Sequence, residues 1–196
     1  MPNGVKTAVG NPTMVSVLTQ IAQLPPERID GIKTATMRKL LELAEAALPG
    51  KKLIIRDLTP LDLALTNNEW TETSGASDNT WADTSITGTL ADDRWVAILG
   101  IKILSGHTTP PISALKFTVG GSEVARWDLY KAFATYILTT SGAVQHDNPE
   151  CITEGPIIIT KNTPFTVAEY VIEASTAYKP VLFGFVCESE GKTIKP

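Results

Sequence analysis

The apolar positions change period once along the chain, near residue 50. Ahead of that point they repeat at helical spacing. Asn11-Pro12 offers a cap followed by proline at a first helical position, and Met14, Val17, Leu18, Ile21 and Leu24 then fall on one face. Pro25-Pro26 ends this expected helix and can open the next. From Thr34 onward Met37, Leu40, Leu41, Ala44 and Leu48 form a second stripe, with Arg38, Lys39, Glu42 and Glu45 mainly on the other side, until Pro49-Gly50 stops it. Two amphipathic helices of this kind need a surface to lie on, either the chain's own core or a neighbour.

After Gly50 the pattern reads as strands. Lys52 to Arg56 is one, and Leu61 to Leu65 a short helical turn. Residues 71–93, rich in Thr, Ser, Asp, Asn and Gly, read as a long loop bordered by Trp70 and containing Trp81. Trp95 to Leu104 is apolar apart from Lys102, as in a central strand buried on both faces. Leu115, Phe117 and Val119 alternate with Lys116 and Thr118, and Gly120-Gly121 marks a hairpin into Val124 to Trp127. Asp128 to Leu138 fits either a short helix or a strand. Strands resume at 156–160, 165–174 and 181–187. The expected fold is mainly β: an antiparallel β-sandwich of jelly-roll type preceded by an α-helical N-terminal segment. The expected organisation is a helical arm over 1–50 and a sandwich over 51–196.

Composition narrows the functional classes. At 196 residues the chain can bury a core without disulfide or metal support. A net charge of −4 argues against a nucleic-acid binder, and Lys51, Lys52 and Arg56 form the only tight basic cluster, which reads as a solvated strand start. Cys151 and Cys187 both sit beside apolar residues and read as buried thiols. No apolar run is long enough to span a membrane. Met1 to Pro12 is polar and small, without the pattern of a secretory leader, so a soluble protein in the cytoplasm is expected.

Residues able to carry chemistry are sparse. His107 and His146 lie apart in turn-like segments, without a second imidazole at metal-ligand spacing. Gly120-Gly121-Ser122-Glu123 lacks the lysine of a phosphate loop. Asp78, Asp83, Asp92 and Asp93 make calcium conceivable in the 71–93 loop, but their spacing is not that of a calcium-binding loop. Glu169 and Glu173 interrupt an apolar strand, and the ordinary reading of such charges is an outward or edge position. No catalytic set, metal or cofactor is expected. The candidate interaction surface comprises Trp70 and Trp81 with the helical positions Met14, Leu18, Ile21, Met37 and Leu41.

Two segments carry a resemblance. Arg56-Asp57-Leu58-Thr59-Pro60-Leu61-Asp62-Leu63 follows the helical arm, and the chain closes with Leu182-Phe183-Gly184-Phe185-Val186-Cys187-Glu188-Ser189-Glu190-Gly191-Lys192-Thr193-Ile194. Over residues 51–196 this resembles the single jelly-roll virion proteins of bacterial and archaeal viruses, which include capsid and capsid-decorating (cement) subunits. The resemblance implies a multi-copy homo-oligomer located in the virion, with other virion proteins as partners and no enzymatic role. The alternative is a carbohydrate- or host-surface-binding module that uses the Trp70 to Trp81 segment.

Overall fold

The structure, a computed structural model, describes residues 17–105, 110–133 and 149–191. Ten strands form two antiparallel sheets, which fits a sandwich. The strands are β1 (Leu18–Gln20), β2 (Leu53–Asp57), β3 (Glu72–Thr73), β4 (Trp81–Thr89), β5 (Arg94–Ser105), β6 (Ile112–Val119), β7 (Ser122–Asp128), β8 (Cys151–Ile159), β9 (Pro164–Val171) and β10 (Ala177–Ser189). Sheet A has the order β1-β8-β5-β10-β2, with β3 also on β10; sheet B has the order β4-β9-β6-β7. Four pairings nest inside one another along the chain: β6 with β7, β5 with β8, β4 with β9, and β2 with β10. The first half of the sandwich is thus matched strand by strand with the second half in reverse. The lateral pairs β5–β10 and β6–β9 then close each sheet.

Strand β5 is buried on both faces from Trp95 to Ile101, as its long apolar run predicts. Val96, Ile98, Ile101 and Ile103 join the core between the sheets, where Leu115, Phe117, Trp127, Val167 and Val186 meet them. Trp95 and Ala97 face the other way, onto the long helix α1 (Pro26–Ala47). That helix starts at a proline suited to a first turn and buries Ile32, Thr36, Leu40 and Ala44, a stripe of every fourth residue. Leu40 and Ala44 pack with Trp95, Ala97 and Cys187, while Ile32 packs with Leu99 and Ile152. The sheet thereby loses its apolar outer face to a helix of its own chain.

Two sequence expectations change here. The helix expected over Met14–Leu24 is absent from its described part: residues 18–20 are β1, and a 3-10 turn follows over Ile21–Gln23. Pairing with β8 overrides the helical spacing, because Leu18, Thr19 and Gln20 stand opposite Thr153, Ile152 and Cys151 at the sheet edge. Met14 lies outside the described residues. The long loop expected over 71–93 contains β3 and the nine-residue strand β4. Its Thr, Ser and Asp residues conceal a period of two: Thr84 and Ile86 are buried, while Trp81, Asp83, Ser85, Thr87 and Thr89 are exposed. Threonine is β-branched and suits a half-buried strand, so polarity alone mislabels this segment. The ambiguous stretch after Asp128 begins as a helix, α2 (Leu129–Phe133). Its remainder lies outside the described residues.

The β5–β10 ladder runs from Tyr178 opposite Ser105 to Glu188 opposite Arg94, with a bulge at Phe183/Gly184. At that irregularity a Cβ on Gly184 would run into the carbonyl oxygen of Ala97. By contrast, a Cβ on Gly31, within α1, would meet nothing within 4 Å. Gly184→Ala should therefore cost about 3 kcal/mol of folding stability by forcing the two central strands apart. Gly31→Ala should add about 0.5–1 kcal/mol, because alanine is the better helix former. Urea unfolding of the two variants beside the native chain checks both signs.

Candidate functional site

The residues singled out in the sequence do not form one surface. Ile21, Met37 and Trp70 come together, along with Leu99, Phe183 and Phe185, in a groove of about 650 Å³ beside α1. Leu18 packs at the margin of the inter-sheet core, and Leu41 against Trp95 and its neighbours under the helix. Trp81 lies elsewhere, on the outer face of sheet B. The register sets Trp81, Tyr170, Ala114 and Asp128 in one row across that sheet, and Asp83, Ala168, Lys116 and Arg126 in the next. The Trp81 ring meets Tyr170 edge-on, with centroids 5.4 Å apart. Lys116 Nζ stands 4.8 Å from its centroid and the Arg126 guanidinium 5.3 Å, so cations occupy the approach to the indole. Glu123 holds Arg126 in place through two bonds, of 3.0 and 3.1 Å.

The charged groups of greatest consequence are inside. Periodicity along β10 puts Glu188 on the same inward face as Val186, and β2 puts Arg56 opposite Val186. Glu188 and Asp62 have fully buried side chains. Arg56 donates to both Asp62 oxygens at 2.7 Å and to Glu188 at 2.8 Å. Arg94 donates to Glu188 at 3.1 Å and stands 3.3 Å from Asp62. The result is a closed square of two arginines and two acids at the end of the core where β10 finishes. Asp62 is presented there by a 3-10 turn (Pro60–Leu63), which it caps reciprocally with Thr59. The expected basic cluster of Lys51, Lys52 and Arg56 is thus divided: Lys51 and Lys52 are exposed, whereas Arg56 turns inward.

Burial drives the Asp62 carboxyl up, but the Arg56 bond and the Thr59 bonds outweigh it and hold it below its ordinary 3.8. The same bonds with Asp62 and Glu188 raise Arg56 above its usual value against the cost of burial. An acid kept below its unfolded value stabilises the fold above that value and withdraws the support as pH falls through the folded one.

The other end of the core, where β10 begins, carries a second polar group. Glu169 is 1% exposed, which corrects the expectation of an outward or edge position. It lies between Val167 and Val171 on the inward face of β9, and those three residues share one parity. Tyr178 donates to its Oε2 and the Gly75 N–H donates to its Oε1 at 2.8 Å. Glu173, by contrast, is exposed, so the two glutamates do not form a working pair. Burial raises Glu169 and its neighbour Glu72 above the ordinary carboxylate value.

The remaining candidates are dispersed. Asp78 accepts the Ala174 N–H at 2.7 Å, Asp83 is on β4, and Asp92 and Asp93 follow that strand, so its length separates them. Among the described residues no three His, Cys, Asp or Glu side chains are grouped to hold a metal ion. His107 and His146 lie outside those residues. Both cysteines are buried free thiols, pushed up by burial to about 12 for Cys151 and about 11 for Cys187, which leaves them protonated and unreactive at neutral pH. No described helix is long and apolar enough to cross a membrane. No protein-family model and no curated protein matches the chain.

Asp62→Asn should cost about 3–5 kcal/mol at neutral pH, because it leaves Arg56 and Arg94 short of their counter-charge inside the fold. Native stability should fall below about pH 4 as Asp62 takes up a proton, and the variant should lack that component. Urea unfolding across acidic pH distinguishes the two chains.

Proposed function

We propose that this chain is a multi-copy structural subunit of a virion shell, a capsid or capsid-decorating protein, built on a jelly roll. The observation that carries the reading is the nested strand order. Leaving aside the edge additions β1 and β3, eight strands remain, ordered β8-β5-β10-β2 and β4-β9-β6-β7. That order is what a long hairpin produces when its two arms are rolled into facing sheets, the double Greek key of a jelly roll. It includes the β2–β10 pairing of the two segments that carry the sequence resemblance and extends it to strands outside them.

Other features agree with a shell subunit. The buried side chains of described interest are structural: they seal the ends of a core and bind no obvious substrate. The outer face of sheet B presents Trp81, Tyr170, Lys116 and Arg126, an aromatic and basic patch that a neighbouring copy could cover. Partners on this reading are further copies of the chain and other shell proteins, its location is the virion, and its role is structural, not catalytic. The carbohydrate-binding alternative draws less support. It needs an open aromatic face on Trp81, which Lys116 and Arg126 overhang, and it needs Trp70 beside Trp81.

Light scattering over a range of protein concentration tests the proposal. Trimers, pentamers, hexamers or larger closed particles are expected. A monomer of 21.1 kDa that persists at every concentration and ionic strength would overturn it.

A further inference from the structure

Glu72 and Glu169 are two buried carboxylates that form no ion pair with a lysine or arginine among the described residues. Glu72 is 8% exposed; its Oε1 accepts the Ser85 N–H at 2.9 Å and the Ser85 hydroxyl. It stands directly opposite Tyr178 in the β3–β10 pairing, and Tyr178 is the residue whose hydroxyl meets Glu169. Residues directly opposite in an antiparallel pair project on the same face, so both acids share one corner with the phenol. Each acid also restrains a different backbone. Glu169, on β9, holds Gly75; Glu72, on β3, holds Ser85 of the edge strand β4. Segment 72–75 is thereby fastened to both sheets at once, by its own pairing to β10 and by the two carboxylates to sheet B.

Among the described residues no cation pairs with either acid at this corner. Of the nearby basic groups, Lys179 pairs with Glu69 at 3.7 Å on the surface. Asp78 lies in the turn that leads to β4, where it accepts from Ala174, and Asp83 and Glu173 are exposed. From β6 the residue opposite Glu169 is Leu115, which is apolar and buried. Among the described residues no lysine or arginine forms an ion pair with Glu72 or Glu169. Like charges in one buried site cannot both ionise without cost, and a proton is the available compensation.

We propose that Glu72 and Glu169 form a proton-sensitive clasp that fastens segment 72–75 across the end of the sandwich, tight while the pair retains a proton and slack once both are ionised. The device stands independently of the shell reading. Its sign follows from burial, which raises both acids above the ordinary 4.5 and outweighs the hydrogen bonds from Ser85, Tyr178 and Gly75 that favour the ionised forms; the charge on Glu72 raises Glu169 further. A carboxyl raised in the folded state contributes stability below its unfolded value and loses it as pH rises through the folded one. The clasp therefore works in the opposite direction to the Asp62 square, which acid weakens.

Amide hydrogen exchange of Gly75 and Ser85, followed by NMR and corrected for intrinsic exchange rates, tests the clasp. Protection of both amides should fall by about tenfold between about pH 5 and about pH 8, while Val96 in the central strand stays constant. Glu72→Gln should reduce the pH dependence at Ser85 and Glu169→Gln that at Gly75, and the Glu72→Gln/Glu169→Gln double variant should hold both protection levels across that range. Native protection that is equal at both pH values would overturn the proposal. So would a pH dependence that survives undiminished in the folded double variant.

Discussion

The whole molecule depends on a pair of strands being dry on both sides. β5 and β10 lie at the centre of sheet A, with the inter-sheet core on one face and α1 on the other. Their contact is close enough that Gly184 passes against the backbone at Ala97, where any side chain would intrude. Burying the apolar residues of β5 from Trp95 to Ile103 removes both faces from water, at roughly 25 cal/mol for each Å² covered. This demands two covers from distant parts of the chain. Sheet B supplies one and the N-terminal helix the other, so elements far apart in sequence are tied to a single ladder. The contacts are largely non-local, which makes slow folding the expectation.

A sandwich with a continuous apolar filling still has two open ends. In this chain both are sealed with polar groups, and by different chemistry. Where β10 finishes, Asp62 and Glu188 are neutralised by Arg56 and Arg94. Where β10 begins, the described partners of Glu72 and Glu169 are neutral donors: two backbone amides and the hydroxyls of Ser85 and Tyr178. Buried ion pairs add little net stability but penalise any arrangement that separates their members. The arginine square thus favours one alignment of β2, β5, β10 and the turn that carries Asp62. Among the described residues the glutamate corner has no arginine or lysine to play that part.

These two ends also frame the assembly reading. A shell subunit must present the same surfaces in every copy, which requires strand alignment to be set from within. The nested pairing, the glycine approach at the bulge and the arginine square each restrict that alignment by a separate means. On the outer side of sheet B the same internal order sets Trp81, Tyr170, Lys116 and Arg126 in adjacent rows.

Local sequence determined the elements whose environment is uniform along their length. The long apolar run of β5, the alternation in β6, the glycine hairpin after Val119 and the proline-led helix ending before Gly50 all follow from period and punctuation. Other features were legible only in part. Glu188 shares the parity of Val186, and Glu169 that of Val167 and Val171, so their inward positions could be read from a period of two. Their partners could not, since Arg56 and Glu188 are 132 residues apart. The strand β4 and the edge pairing of β1 required the folded neighbours, because a threonine-rich stretch becomes a strand, and a helical stripe becomes extended, only when a partner strand takes up its backbone hydrogen bonds. Side-chain period records which face of an element is dry; it carries no record of which distant residue will lie against that face. That was settled by topology, where burial and charge compensation are satisfied together.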